Sequence, residues 1–565
     1  MSNKVILPFL FAALLAPLLA WSAPAHAGSS TWQITKDHWS EYDEKGYQDF
    51  IRRIGEADCW SLDQCLKDPA ANPFIDSDPK GIKWLVDCAD TPYVLRAYYA
   101  WKNGLPFSYA TAMQSADGPG TDIRYSPGGN VVVSRHDVPA TASGVPALPI
   151  IMSLPWTIST AMYRHNADSD DPVMFNDMYS PRIDRRAIVP GTIAYDVNGH
   201  AATIWKVEPG GRILIFSSHP DHTLSRSFVG KEFLRTSPAL GSIFQKWRPI
   251  RLVGARQNAA GVYVGGKIVG ARNSEIGDFS LEQYTGNPPV SPYLWSQAKW
   301  ELDGESMDFY KYIRSRLSVG ELEYHPIDEM KAMVQSICQD LKSRNKAVDI
   351  ALEEKTNLMT PPARLPRNIY GTDGVWELYS TPSRDARLKT GFKELYDQTV
   401  EFVKLGMVRN QRLKYDGTAL EADLLKTYET ESARCVITYR KSDGAPVSLT
   451  FDDILNRLFK LSFDPYHCVE RRWGASDPAE LATCPDGRDK QRWYEAEQNL
   501  RNQIDRTYDV DMGYSAEELL AGPYGLYTGR GVIEPPPVNV RAYLGGVISR
   551  RSADSGNIAN PVATP

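Results

Sequence analysis

WLVDCADTPYVLRAYYAWKNGLPF, residues 84–107, sets one cysteine just before an aromatic-rich amphipathic run that closes on Gly104-Leu105-Pro106. Val94, Leu95, Tyr98 and Tyr99 recur three and four apart, the spacing of one helical face. Pro92 suits a first turn, where a missing N–H costs little. The stretch is therefore read as a helix over residues 92–103, with Cys88 at its N-terminus. Unpaired N–H groups and the helix dipole favour an anion there. A thiolate is an anion, so the position predicts a lowered thiol pKa and a stronger nucleophile. The same N–H groups would suit the oxyanion of a tetrahedral intermediate. The plain alternative is a structural cysteine, buried or disulfide-bonded.

The compartment bears on that choice. The chain opens MSNKVILPFLFAALLAPLLAWSAPAHAGSS, with one charge at Lys4, an apolar run and a small-x-small site at Ala25-His26-Ala27. This is the layout of a secretory signal peptide, expected over residues 1–27 and of bacterial type, with a periplasmic or secreted destination. No second run is long and apolar enough for a stable membrane span after signal cleavage. Cleavage leaves 538 of the 565 residues, enough for two or three domains. The 63 Lys and Arg against 69 Asp and Glu give a net charge of −6, and loss of Lys4 takes this to −7. That acidic balance, with no basic run, argues against nucleic acid. In an oxidising compartment cysteines pair, and there are seven: Cys59, Cys65, Cys88, Cys338, Cys435, Cys468 and Cys484. Short spacings suggest Cys59 with Cys65 and Cys468 with Cys484, leaving Cys338 with Cys435 and Cys88 over. Spacing does not settle connectivity.

Along the chain, residues 28–80 read as an N-terminal helical cap. Residues 81–250 mix the helix with strand signals: NVVVSRH, GTIAYDV, HAATIWKVE and RILIFSS, the last two joined by an EPGG turn. The Gly-rich run 251–290 reads as a hairpin and connector. Residues 291–529 turn helical in period and form a disulfide-pinned helical domain. Within it, residues 359–374 break the pattern and are expected to be exposed backbone. Residues 530–565, rich in Pro, Ser and Asn, are expected to be an unstructured tail. The fold class is α+β, followed by a mainly helical C-terminal domain.

A cysteine nucleophile needs a base. His200, at the start of a strand, is the candidate. A polar partner for the imidazole is sought on the next strand. His219 stands there, with Ser217, Ser218 and Asp221 as alternatives. His219 and His222 in HPDH could instead serve a metal with His200 and Asp196, but a bare H-x-x-H is a weak zinc signal. DSDD, 168–171, lacks the spaced oxygens of a calcium loop and reads as a solvated turn. FDPYHCVERRWGA, 463–475, reads as a disulfide-pinned loop, with a partner or glycan surface as the other reading. No metal or other cofactor is expected.

The order of these features resembles the NlpC-like cysteine endopeptidases, papain-like domains that cut peptidoglycan stem peptides. The matching residues are Asp87-Cys88 at a helix start, Leu105-Pro106 after it, Pro190-Gly191 before a strand, His200 followed by Ala201 and Ile204, and His219. The resemblance implies a helix packed on an antiparallel sheet, with Cys88 as nucleophile, His200 as base and His219 as the orienting residue. It covers about 130 residues. Ala89-Asp90 stand where the family has Ser-Gly, Thr192 stands where it has Asp, and the spacings are longer. The expected function is an exported thiol hydrolase cleaving an amide bond, with peptidoglycan or another peptide as substrate. The alternatives are a thiol acyltransferase, or an inactive papain-like scaffold whose helical half holds an envelope partner.

Overall fold

The computed structural model describes residues 30–371, 374–379 and 381–558. The expected signal peptide lies outside the described residues. The chain is α+β, and its organising element is a six-stranded antiparallel sheet. In chain order the helices flanking it are α1 (Glu41–Glu56) and α2 (Thr91–Asn103). A separate hairpin, β1 (Ser108–Ser115) with β2 (Asn130–Asp137), follows. The sheet strands are β3 (Met178–Tyr179), β4 (Ile193–Asp196), β5 (His200–Val207), β6 (Ile213–Ser218), β7 (Leu224–Phe228) and β8 (Phe244–Trp247), in spatial order β3-β8-β4-β5-β6-β7.

Period-two alternation decides which side chain goes where. Ile193, Tyr195, Ala201 and Phe216 face a core shared with Tyr47, Phe50, Ile51 and Ile54 of α1 and Tyr93, Val94 and Tyr98 of α2. Ala194, Ala202, Ile204, Ile213 and Ile215 face the opposite core. That second core is closed by Tyr312, Ile313 and Leu317 of α3 (Phe309–Leu317). The sheet domain therefore runs past residue 250, its expected end, and past the change of period near 290. The Gly-rich run forms the hairpin expected of it and packs on this domain. Its strands β9 (Ile250–Val253) and β10 (Lys267–Gly270) pair, and Leu252 and Ile268 join the first core.

The C-terminal half is mainly helical, as expected. Its long members are α4 (Pro326–Glu353), α5 (Thr381–Met407) and α6 (Leu420–Ser432). A hairpin of β11 (Val436–Arg440) and β12 (Pro446–Thr450) interrupts them. Disulfides join Cys59 to Cys65, Cys338 to Cys435 and Cys468 to Cys484. The 463–475 run is core: Arg472 and Trp473 are fully buried, and His467 bonds Ser462 through Nδ1 at 2.7 Å and the Lys490 carbonyl through Nε2 at 2.9 Å.

Two expectations are corrected. The segment 359–374 is not simply exposed, because Leu365, Ile369 and Tyr370 enter a core with Trp376, Phe463 and Trp493. The tail is not simply unstructured. Its residues form α7 (Val540–Ile558), and Val540, Leu544 and Val547 are buried against α5 and α6. Spacings of four and three residues put these three on one helical face. Since Leu544 is fully buried, Leu544→Ala is expected to destabilise the C-terminal half by about 2–5 kcal/mol. Urea unfolding followed by circular dichroism would show it, and an unchanged midpoint would mean that this helix contributes no packing energy.

Candidate active site

The loop carrying Cys88 is a tight turn tied down on several sides. The Asp87 carboxylate accepts from the N–H of Ala89 at 2.7 Å and of Asp90 at 3.3 Å, and Asp90 returns an acceptor to the N–H of Asp87 at 3.2 Å. Thr91 Oγ1 donates to the Asp87 carbonyl at 2.6 Å and lies 2.8 Å from Ser218 Oγ on β6. Tyr163 donates to the Ala89 carbonyl at 2.6 Å, and His222 Nδ1 meets the Val86 carbonyl at 3.1 Å. The His222 ring is thereby a clamp on the Cys88 loop, while its backbone N–H donates to the His219 carbonyl at 2.7 Å.

This geometry overturns the expected anion site. The amides of Ala89 and Asp90, next after Cys88, are already engaged by the Asp87 carboxylate. Cys88 is buried and is the one free cysteine among the described residues. Burial pushes its thiol well above the ordinary value, and the neighbouring Asp87 pushes it further. The Ala201 N–H and the Arg387 charge pull the other way, with less effect. Asp90 is itself held up to about 9, by burial first and by Asp87 second.

The histidines arrive on adjacent strands. The turn between β4 and β5 closes with Gly199 at φ 92°, a left-handed conformation that suits glycine, and Asp196 then pairs with His200. That turn sets Cys88 Sγ 3.9 Å from the Gly199 carbonyl. Continuing the Thr203–Phe216 register brings His200 opposite His219, and their rings lie 5.7 Å apart and nearly parallel at 13°. No hydrogen bond joins the two rings. His219 Nε2 bonds Ser225 Oγ at 2.8 Å, and its buried Nδ1 has no partner among the described residues. The hydrogen bond expected of an orienting residue is therefore absent between His219 and His200, and the two rings pack face to face instead. Asp221 is committed elsewhere, to Thr223 and to Arg384 at 3.1 Å. Both imidazoles are held well below the ordinary histidine value. Burial is the main cause, followed by Arg387 for His200 and Arg384 for His219.

Cys88 and His200 line one cavity of about 150 Å³. Its other wall comes from the C-terminal half: Tyr370, Trp376 and Arg387. A second cavity of about 690 Å³ begins at His200 and His219 and runs between the sheet and α4 and α5. Arg387 lines both. Sequence reasoning missed Arg384, Arg387 and Tyr370. Arginines three apart on a polar helix carry no local mark of facing a site, and only the docking of the two halves reveals it. No protein-family model, curated protein or solved structure matches this chain.

At neutral pH the small cavity is lined by a thiol and a neutral imidazole. Iodoacetamide should therefore modify Cys88 of the folded protein slowly, with a pH profile centred above the free-thiol value of about 8.5. Asp87→Asn keeps an acceptor for the Ala89 amide but removes the charge that raises the thiol, so it should move the profile to lower pH. A wild-type profile centred below about 8, unmoved by Asp87→Asn, would contradict this electrostatic account.

Proposed function

We propose that this chain is a thiol hydrolase of the cell envelope that cleaves an amide bond, with Cys88 as nucleophile and His200 as base. The observation that carries the reading is that the one unpaired cysteine and His200 line a single cavity, the sulfur lying against the Gly199–Ala201 backbone. Three disulfides fit an oxidising compartment. The antiparallel sheet with α2 packed on it is compatible with the papain-like arrangement, and peptidoglycan stem peptides are the substrate class that the resemblance brings.

In this reading the Cys88 proton passes to His200 as sulfur attacks the carbonyl carbon. Arg387 lines the same cavity, and its charge favours both the thiolate and the tetrahedral oxyanion. The C–N bond breaks as His200 returns the proton to the leaving amine. Water then cleaves the thioester with His200 as base. His219 packs beside His200 and limits its orientations.

One observation favours a second reading, an inactive scaffold on the same fold. Burial raises the thiol and lowers the imidazole, so it opposes the thiolate–imidazolium pair from both sides. The two readings separate by experiment. The full chain is incubated with purified peptidoglycan and with short peptide amides, and new amino groups are counted from pH 5 to 9. On the hydrolase reading, Cys88→Ser and His200→Ala each abolish release, while His219→Ala slows it about 10–100-fold, less than loss of a general base costs. No release by the folded wild-type protein from any substrate would hand the case to the scaffold.

A further inference from the structure

Apart from Arg387, which lines both cavities, the larger cavity holds charges that the proposed thiol chemistry does not use. Its wall on α5 is built from Arg384, Arg387, Gly391, Glu394, Gln398 and Glu401, the three-and-four spacing of one helical face. At the His219 end, Arg384 is buried and pairs with Asp221 at 3.1 Å, yet its Nε and Nη1 have no partner among the described residues. Arg387 donates to Ser383 Oγ at 2.7 Å and forms no ion pair among the described residues. The buried Nδ1 of His219 is also without a partner. Asp340 of α4 lines the same cavity, but burial holds its carboxyl up to about 7 against the pull of Arg387 and Arg384, so it is a weak counter-charge.

Two turns along α5 the sign reverses. Glu394 accepts from the Lys231 N–H at 2.8 Å, and Glu232 accepts from the Gly230 N–H at 3.1 Å. Neither carboxyl is in an ion pair with a Lys or Arg side chain among the described residues. Burial raises both, Glu232 to about 8 with the charge of Glu394 adding to the rise, while Arg506 lowers Glu232 and Lys231 lowers Glu394 with less effect. An ammonium seated between the two carboxyls favours their charged forms, as an opposite charge at close range does. Gly391 lies between the two poles and offers no side chain there. The exposed Lys231 and Lys404 mark where the cavity reaches solvent.

We propose that this cavity binds a short peptide with both ends free, its carboxylate on Arg384 and Arg387 and its ammonium at Glu232 and Glu394. The length follows from the helix. Arg387 and Glu394 are seven residues apart, about 10 Å along the axis at about 1.5 Å per residue. An extended chain advances about 3.3–3.6 Å per residue, so three residues span that distance. A volume of about 690 Å³ is ample for a tripeptide. Arginine suits a carboxylate because its planar fork can donate twice. The inference stands whether or not Cys88 reacts.

The test is calorimetric titration of the full chain carrying Cys88→Ser, so that no ligand is consumed. The probes are trialanine, N-acetyl-trialanine and trialanine amide. Trialanine should bind, and each blocking group should weaken it at least ten-fold. Arg387→Gln should remove the discrimination against the amide and keep that against the acetyl group. Glu394→Gln should do the reverse. Gly391→Met should abolish binding with both charges intact, by filling the gap between the poles. Circular dichroism checks the fold of each variant. No heat with trialanine, equal binding of the blocked peptides, or unchanged binding by folded Gly391→Met would each overturn the proposal. If wild-type protein cleaves no amide while the Cys88→Ser chain binds trialanine as described, only the hydrolase reading fails.

Discussion

One buried carboxylate, Asp196, holds the two halves of the molecule in register. Its Oδ1 accepts from the Asn198 N–H at 3.1 Å and so shapes the turn that ends in Gly199 and His200. Its Oδ2 takes the Arg506 guanidinium at 2.5 Å, and both side chains are almost fully buried. Arg506 also donates to the Glu232 carbonyl, and Asn198 takes the Asn368 amide at 3.0 Å. Breaking a buried pair by removing one partner commonly costs about 3–5 kcal/mol, because it strands a charge without solvent. The contact is therefore a strong orienting constraint. It fixes the floor of the small cavity, where Cys88 and His200 lie, to the helical half that supplies its other wall. The arginines of α5 reach the histidines because this seam is closed.

The same seam explains why the thiol behaves opposite to its helix position. A helix N-terminus is worth about 0.3–1 kcal/mol to an anion, and about 2 in favourable cases. Full burial can move a titrating group by up to about 3–5 pK units, each unit about 1.4 kcal/mol. Desolvation is the larger effect before any neighbour is counted. Asp87 then takes the Ala89 and Asp90 amides and adds a like charge beside the sulfur. The helix position thus points one way, and burial together with the adjacent Asp87 reverses it.

Much of the sheet domain was legible in the sequence, because its signals are local and repeat. GTIAYDV, HAATIWKVE and RILIFSS alternate, and the structure makes them neighbours in that order. Residues 92–103 read as one amphipathic helix, and a helix forms at Thr91–Asn103, though it is buried on every side from Thr91 to Trp101. The cysteine arithmetic worked because an odd count leaves one over and the short spacings close small loops. What stayed hidden depends on distant packing. Gly545 and Gly546 and the polar end of the chain mask α7, whose signal is a short apolar face at Val540, Tyr543, Leu544 and Val547. Tyr370 lies in a Pro- and Gly-rich stretch that looks like a loop and is irregular, yet it is anchored in a core. The candidate pair itself was legible from residue order. Its electrostatics and its second wall were not, because they belong to the docked halves.

Arg387 shows how far the two cavities are physically linked. It lowers the thiol and lowers the imidazole. Moving the proton from Cys88 to His200 creates a thiolate that this charge favours and an imidazolium that it opposes, so its effects on the pair partly cancel. An anion seated on Arg387 relaxes both influences and leaves the balance nearly where it was. Burial does not cancel in this way, since it penalises each ion of the pair. Hydration of the small cavity, or its displacement by a polar carbonyl, is therefore the variable to which proton transfer is most sensitive. The walls that control it are Tyr370 and Trp376, contributed by the helical half. In the proposed reaction the second half would act on the first through the solvent it admits more than through the charge it carries.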